Sequence, residues 1–137
     1  MKRTLSRIVA MHVIFNYNMT KVLDFNGVVD IVNTETSEYD ETYLKELVNG
    51  VIDNQAQIDF IISMNLKKYT LDRLSIVDRS LLEIGTYELL FTNTPKNIVI
   101  NEIVEISKEY SELDDYKTSK FNNAVLDAIA KSKINEQ

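Results

Sequence analysis

The stretch Asp78-Arg79-Ser80-Leu81-Leu82-Glu83-Ile84-Gly85-Thr86-Tyr87-Glu88-Leu89-Leu90 decides the fold. Its apolar residues recur at helical spacing, and in a helix over about 73–91 they cover most of the circumference. A helix of that kind belongs at the centre of a bundle. Gly85 costs such a helix about 1 kcal/mol relative to alanine, so close approach of a neighbouring helix is expected there. Glu88 projects on the same side as Val77, Leu81 and Ile84. A buried carboxylate requires a donor or a raised pKa, and the expectation is an arginine or a backbone N–H that the sequence does not name.

Working outward from this segment, the chain stays helical. It holds only three Gly and one Pro, and no long run alternates β-branched with polar residues. A first helix is expected over 3–17, with Leu5, Ile8, Val9 and Phe15 on one arc and Arg3 and Arg7 one turn apart on the other side, in solvent. A short helix over 26–32 carries Val28, Val29 and Ile31, and the acidic stretch 33–40 reads as a solvated loop. Asp40 is placed to cap one long helix running to about Leu66, with Tyr43, Leu44, Leu47, Val51, Ile58, Ile61 and Ile62 inward. Pro95 ends the central helix region. A helix starting between Asn97 and Asn101 then reaches Tyr110, with Ile100, Ile103 and Val104 inward and Glu102, Glu105 and Glu109 in water. After a polar loop over 111–117, Thr118 or Ser119 caps a last helix to about Lys131, with Phe121, Val125, Ala128 and Ile129 as its apolar stripe. The fold class is all-α, and 137 residues without an internal repeat or long linker suit one domain.

Composition narrows the function. With 45% apolar and 26% charged residues the chain has the balance of a soluble globule. No cysteine is present, which excludes disulfides, thiolate zinc sites and a cysteine nucleophile, and favours the cytoplasm. The N-terminal residues lack the uninterrupted apolar run of a signal peptide, and no apolar run is long enough for a membrane span. Net charge is −6, yet it is unevenly spread. Residues 1–23 hold Lys2, Arg3, Arg7 and Lys21 and no acid, so a +4 segment precedes a body of −10. Such a helix can hold RNA locally although long-range steering is poor.

Enzyme chemistry finds little support. The single histidine, His12, sits within the apolar arc of the first helix and reads as a core or rim residue. Asp114–Asp115 has no EF-hand spacing, and Glu102, Glu105 and Glu109 read as a solvated face. No phosphate-cradling glycine loop, nucleophile elbow or His-Glu-x-x-His helix is present. No metal, no cofactor and no catalytic residue is therefore assigned. The basic ridge of Lys2, Arg3 and Arg7, with Phe15 and Tyr17 two turns on, has the cation-and-aromatic make-up of a single-strand RNA binder.

The quoted central segment resembles the helix "dR-x-x-L-r-x-a-x-y-E-L" of the NusB family, with Glu83 where arginine is common. Pro95 with Ile100-Asn101-Glu102-Ile103-Val104-Glu105-Ile106-Ser107-Lys108 is similar to that family's "P-x-x-v-x-I-N-E-a-V-e-l-a-K". Lys120-Phe121-Asn122-Asn123-Ala124-Val125-Leu126-Asp127 resembles its "K-F-v-N-g-v-L-d", and Arg7-x-x-Ala10-x-x-Val13-Ile14-Phe15 its N-terminal block. The resemblance implies a bundle of about seven helices that works in transcription antitermination. It implies binding of boxA RNA from ribosomal RNA leader transcripts, jointly with the small-subunit ribosomal protein NusE, in the antitermination complex of RNA polymerase. Mapped onto this chain, RNA contacts fall on Lys2, Arg3 and Arg7 and around Lys117 and Lys120. The NusE contact falls on the helix beginning near Asp78, and Glu83 joins it as a residue expected to be exposed. A homodimer over the partner surface is a further state the family allows. Two other readings compete: the RNA-binding part of an rRNA cytosine methyltransferase, which needs a further cofactor domain, and a helical adaptor between proteins with no RNA role.

Overall fold

Ser75 starts the central helix. Its Oγ accepts the Asp78 N–H at 3.1 Å and donates to the Asp78 carboxylate at 2.9 Å, a reciprocal cap that satisfies an orphan donor of the first turn. The computed structural model describes residues 2–32, 38–67, 70–110 and 117–135. They form seven α-helices: α1 (Lys2–Thr20), α2 (Phe25–Val32), α3 (Glu41–Asp53), α4 (Gln55–Met64), α5 (Ile76–Phe91), α6 (Lys96–Tyr110) and α7 (Lys117–Asn135), with a 3-10 turn at Leu71–Arg73. No strand occurs among the described residues. Residues 33–37 and 111–116, most of the two polar loops read from the sequence, lie outside the described residues.

The central position expected of the 73–91 segment is observed. α5 packs against α1, α3, α4, α6 and α7, and from Asp78 to Thr86 every residue except Arg79 is buried. Gly85 explains itself in the same way. A Cβ built there would lie 2.8 Å from Cδ2 of Leu126 on α7 and 3.3 Å from Cγ1 of Ile103 on α6. The missing side chain is what lets two helices close on α5, which offsets the poor helix propensity of glycine.

The expected single helix from Asp40 to Leu66 is two helices. Asp40 caps α3 as expected, its carboxylate accepting the Tyr43 N–H at 3.0 Å. At Asn54, however, the side-chain amide donates to the Gly50 carbonyl at 2.8 Å, and the backbone leaves helical values at φ −117° and ψ 17°. An asparagine that bonds the preceding turn offers the backbone an alternative to helix continuation, so α4 sets off in a new direction. Both halves still bury their apolar stripes, including Leu44, Leu47, Val51, Ile58 and Ile62.

Ser6 ties the start of α3 to the start of α1. It is fully buried, accepts the Asp40 N–H at 2.8 Å and donates to the Lys2 carbonyl at 2.8 Å. That junction brings Tyr43 of α3 under the N-terminal turns of α1.

Candidate nucleic-acid interface

Arg7 does not lie on a solvent-facing ridge with Arg3. It is 2% exposed, and its guanidinium is held on three sides. Nε and Nη2 donate to the two oxygens of Glu88 at 2.8 and 2.9 Å, Nη1 donates to Glu102 Oε1 at 2.8 Å, and Nη2 also reaches the Tyr43 hydroxyl at 2.9 Å. Tyr43 in turn donates its hydroxyl proton to Glu88. Burial works to lower the pKa of Arg7, but the hydrogen bond and charge of Glu88 outweigh it and raise the pKa. Burial, then the bond to Glu88, raises that of the Tyr43 phenol. The expectation failed for a reason visible in the packing: α1 is covered by α2, α3 and α5, so its buried face is wider than the arc of Leu5, Ile8, Val9 and Phe15. Ser6, Arg7, Ala10, Met11, Val13 and Ile14 all lie within it. The unnamed partner of Glu88 is Arg7, an arginine as expected.

Glu102 is likewise drawn out of the water-facing row in which the sequence placed it. It binds Arg7 and accepts the Thr4 hydroxyl at 2.5 Å, while Glu105 and Glu109 are exposed. Neither Tyr43 nor Glu102 was a candidate from sequence. The usable signal was the need of a buried Glu88 for a cation, together with the small residues Ser6 and Ala10 flanking Arg7.

Arg3 and Lys2 are exposed at the start of α1. The Arg3 guanidinium lies 4.3 Å from the centre of the Tyr43 ring, a cation–π contact. Beside it opens a cleft of about 610 Å³, lined by Arg3, Tyr43, Glu46, Pro95, Ile98 and Glu102 among others. Lys117 and Lys120 are also exposed, in the first turn of α7. They lie toward the other end of the bundle. Arg7 near the start of α1 meets Glu88 near the end of α5, whereas Asn122 of α7 donates to Asp78 at the start of α5, at 3.2 Å. The intervening ten residues of α5 span roughly 15 Å. The structure therefore groups Lys2 with Arg3, groups Lys117 with Lys120, and keeps the pairs apart.

The two residues expected at a protein-partner surface are interior. Asp78 is 8% exposed and bonded to Ser75 and Asn122; Glu83 is 0% exposed. Glu83 accepts the Asn18 amide at 2.9 Å and the Gln55 amide at 3.0 Å, with the Arg79 Nε at 3.6 Å. Arg79 is committed to Asp59 at 2.9 Å. Burial, and then Asp59, push the Glu83 carboxyl up to about 8. The central place of α5 is the cause, since it leaves the helix almost no outer face. His12 is half-buried, edge-on to Tyr110 at 5.6 Å, and burial lowers its pKa. Asp114 and Asp115 lie outside the described residues. Among the described residues no cluster of His, Asp or Glu is arranged to hold a metal ion, and no helix is long and apolar enough to cross a membrane.

Residues 4–131 match the model of the NusB family. The chain is 37% identical over 132 residues to the transcription antitermination protein NusB of Staphylococcus aureus (strain MRSA252), a match covering 96% of this chain and all of that one. A chain in a crystal structure of a plectonemic RNA supercoil superposes with a TM-score of 0.84 at 31% identity, covering 98% of this chain and 97% of its own. A chain from the crystal structure of the antitermination factors NusB and NusE in complex with double-stranded RNA superposes with a TM-score of 0.79 at 31% identity, with 94% and 96% covered.

Proposed function

The chain belongs to the NusB family, and from that premise we propose that it is a transcription antitermination factor acting as an RNA-binding adaptor. It binds boxA-type single-stranded RNA of ribosomal RNA leader transcripts jointly with the ribosomal protein NusE, within the antitermination complex of RNA polymerase in the cytoplasm. In this reading it carries out no chemistry of its own. The observation that carries the proposal is the near full-length likeness to a protein solved together with NusE and RNA.

The residues suit that role in a specific division of labour. Lys2 and Arg3 at one end and Lys117 and Lys120 at the other meet phosphates, while Arg7 holds up the surface from beneath. A patch of this kind on an acidic body binds RNA weakly alone, and a basic ribosomal protein supplies the rest. Asp78 and Glu83 shape the helix packing and do not themselves touch the partner. Band-shift of boxA RNA with the chain, with and without NusE, tests the reading. The expected result is a weak shift alone and a strong one with NusE; a NusE complex that leaves the RNA unshifted rules it out.

A further inference from the structure

We infer that the cleft between the start of α1 and the α5–α6 connection takes one unstacked nucleobase bearing an exocyclic amino group, which donates to Glu102. The inference rests on the RNA-binding reading above and adds base identity to it, since phosphate contacts by Lys2, Arg3, Lys117 and Lys120 carry no sequence information. Three features carry it.

The first is shape. At about 610 Å³ the cleft is of small-molecule size, and its lining offers surfaces for a flat ring. Arg3, stacked on Tyr43, presents a guanidinium plane, and Pro95 and Ile98 present apolar surface. Unpaired bases stack on guanidinium planes in this manner.

The second is a fixed acceptor. Glu102 Oε1 is filled by Arg7 Nη1 and the Thr4 hydroxyl, which hold the carboxylate in place. Its Oε2 accepts no hydrogen bond among the described residues, and the side chain is 26% exposed at the cleft. Arg7 cannot swing across to satisfy it, because its other nitrogens are held by Glu88 and Tyr43.

The third is the charge of the lining. Glu46 adds a second carboxylate, so Glu46 and Glu102 balance Arg3 and Arg7 in the lining. With the Arg7 nitrogens taken by Glu88, Glu102 and Tyr43 and Arg3 lying over Tyr43, the open atom beside Glu102 is an acceptor. The amino groups of cytosine, adenine and guanine donate; a uracil in the same place sets a carbonyl against a carboxylate. A site built to accept a hydrogen bond rejects an analogue that lacks the donor.

The test is fluorescence anisotropy of single-stranded boxA RNA with the full chain bound to NusE. Each amino-bearing base is replaced singly by its amino-free counterpart: cytosine by uracil, adenine by purine, guanine by hypoxanthine. One position should lose about 10- to 100-fold in affinity, the range of a hydrogen bond to a charged group. Glu102→Gln keeps an acceptor for Arg7 and Thr4 but turns an NH2 toward the cleft, so it should abolish or reverse the preference at that position. A purely structural role for Glu102 would instead weaken all RNAs by one factor, and that outcome overturns the pocket. Ile98→Trp, at a 46% exposed site, fills the cleft without replacing any residue bonded to Arg7 and should remove the same preference even if Glu102→Gln folds poorly. A series with no amino-sensitive position, or one whose sensitivity survives Ile98→Trp, also overturns it. RNA that binds without base preference leaves the RNA-binding reading standing, whereas absence of any binding removes both.

Discussion

Arg7 and Arg3 are one helical turn apart and have opposite fates. Arg7 serves two carboxylates and a phenol in a dry interior, and removing it leaves Glu88 buried without its cation. Arg7→Ala should therefore cost about 3–5 kcal/mol in chemical denaturation. Arg7→Lys should recover only part of that, because an ammonium cannot reproduce the two-pronged contact with Glu88. Arg3→Ala, at an exposed site with one cation–π contact, should cost at most about 1 kcal/mol. Comparable losses for Arg3→Ala and Arg7→Ala would show that Arg7 is not the buried anchor. Glu83 gives a prediction in pH. Its carboxyl moves from an ordinary 4.5 to about 8 on folding, so the folded state binds more protons between those values. Its contribution is full below about 4.5 and is lost as pH rises toward 8. Glu83→Gln removes this titration while keeping an amide able to donate to Asp59, whose buried Oδ1 has no other partner. The variant should melt several degrees above the natural protein at pH 8.5 and gain much less at pH 5. An equal gain at both values would mean that Glu83 does not take up a proton on folding. Neither fate was legible from one helix at a time. Periodicity told that Glu88 is buried and needs a cation, but the choice of Arg7 depends on α1 crossing α5, which no local pattern encodes.

At the scale of elements, local rules did better, and their largest failure is instructive; a smaller one is α7, which begins at Lys117, so that Thr118 and Ser119 lie inside the helix rather than capping it. Asp40 capped its helix, Pro95 separated α5 from α6, and Gly85 marked a close crossing. Asn54 was passed over because apolar spacing continues through it from Val51 to Ile58. The break comes from a side-chain bond to the backbone, which the apolar pattern does not register. Gly85 supports a prediction of sign. Alanine improves helix propensity by about 1 kcal/mol, but its Cβ would sit 2.8 Å from Leu126 Cδ2 in a packed core. Overpacking costs of about 1–3 kcal/mol exceed that gain, so Gly85→Ala should lower the denaturation midpoint. A raised midpoint would show that Leu126 and Ile103 yield freely.

At the scale of the whole molecule, the exposed cations proposed to meet RNA form two stations rather than one patch, and this arrangement was hidden in the sequence. Lys2 and Arg3 are far from Lys117 and Lys120 in the chain, and the course of α5, antiparallel to α1 and parallel to α7, sets their separation. Two stations make a prediction that one patch does not. Each phosphate neutralised on a single strand contributes about 0.7 to the slope of log K against log salt, so four contacts give about −3 before the partner's own share. Lys2→Ala with Arg3→Ala should reduce the slope by about 1.4, and Lys117→Ala with Lys120→Ala by a similar amount. For a boxA RNA long enough to reach both stations the two reductions should add, because the sites share no contact. Trimming the RNA from one end should then abolish the effect of one pair while leaving the other intact, and trimming from the opposite end should exchange them. The measurement is a salt titration of the NusE-bound protein with the full RNA and with each trimmed RNA. A single patch predicts instead that every trimmed RNA responds to both pairs in proportion. If Lys117 and Lys120 can be removed with no change in slope on the full RNA, the strand leaves the protein near α1, and the α7 end is a solvated face of the bundle.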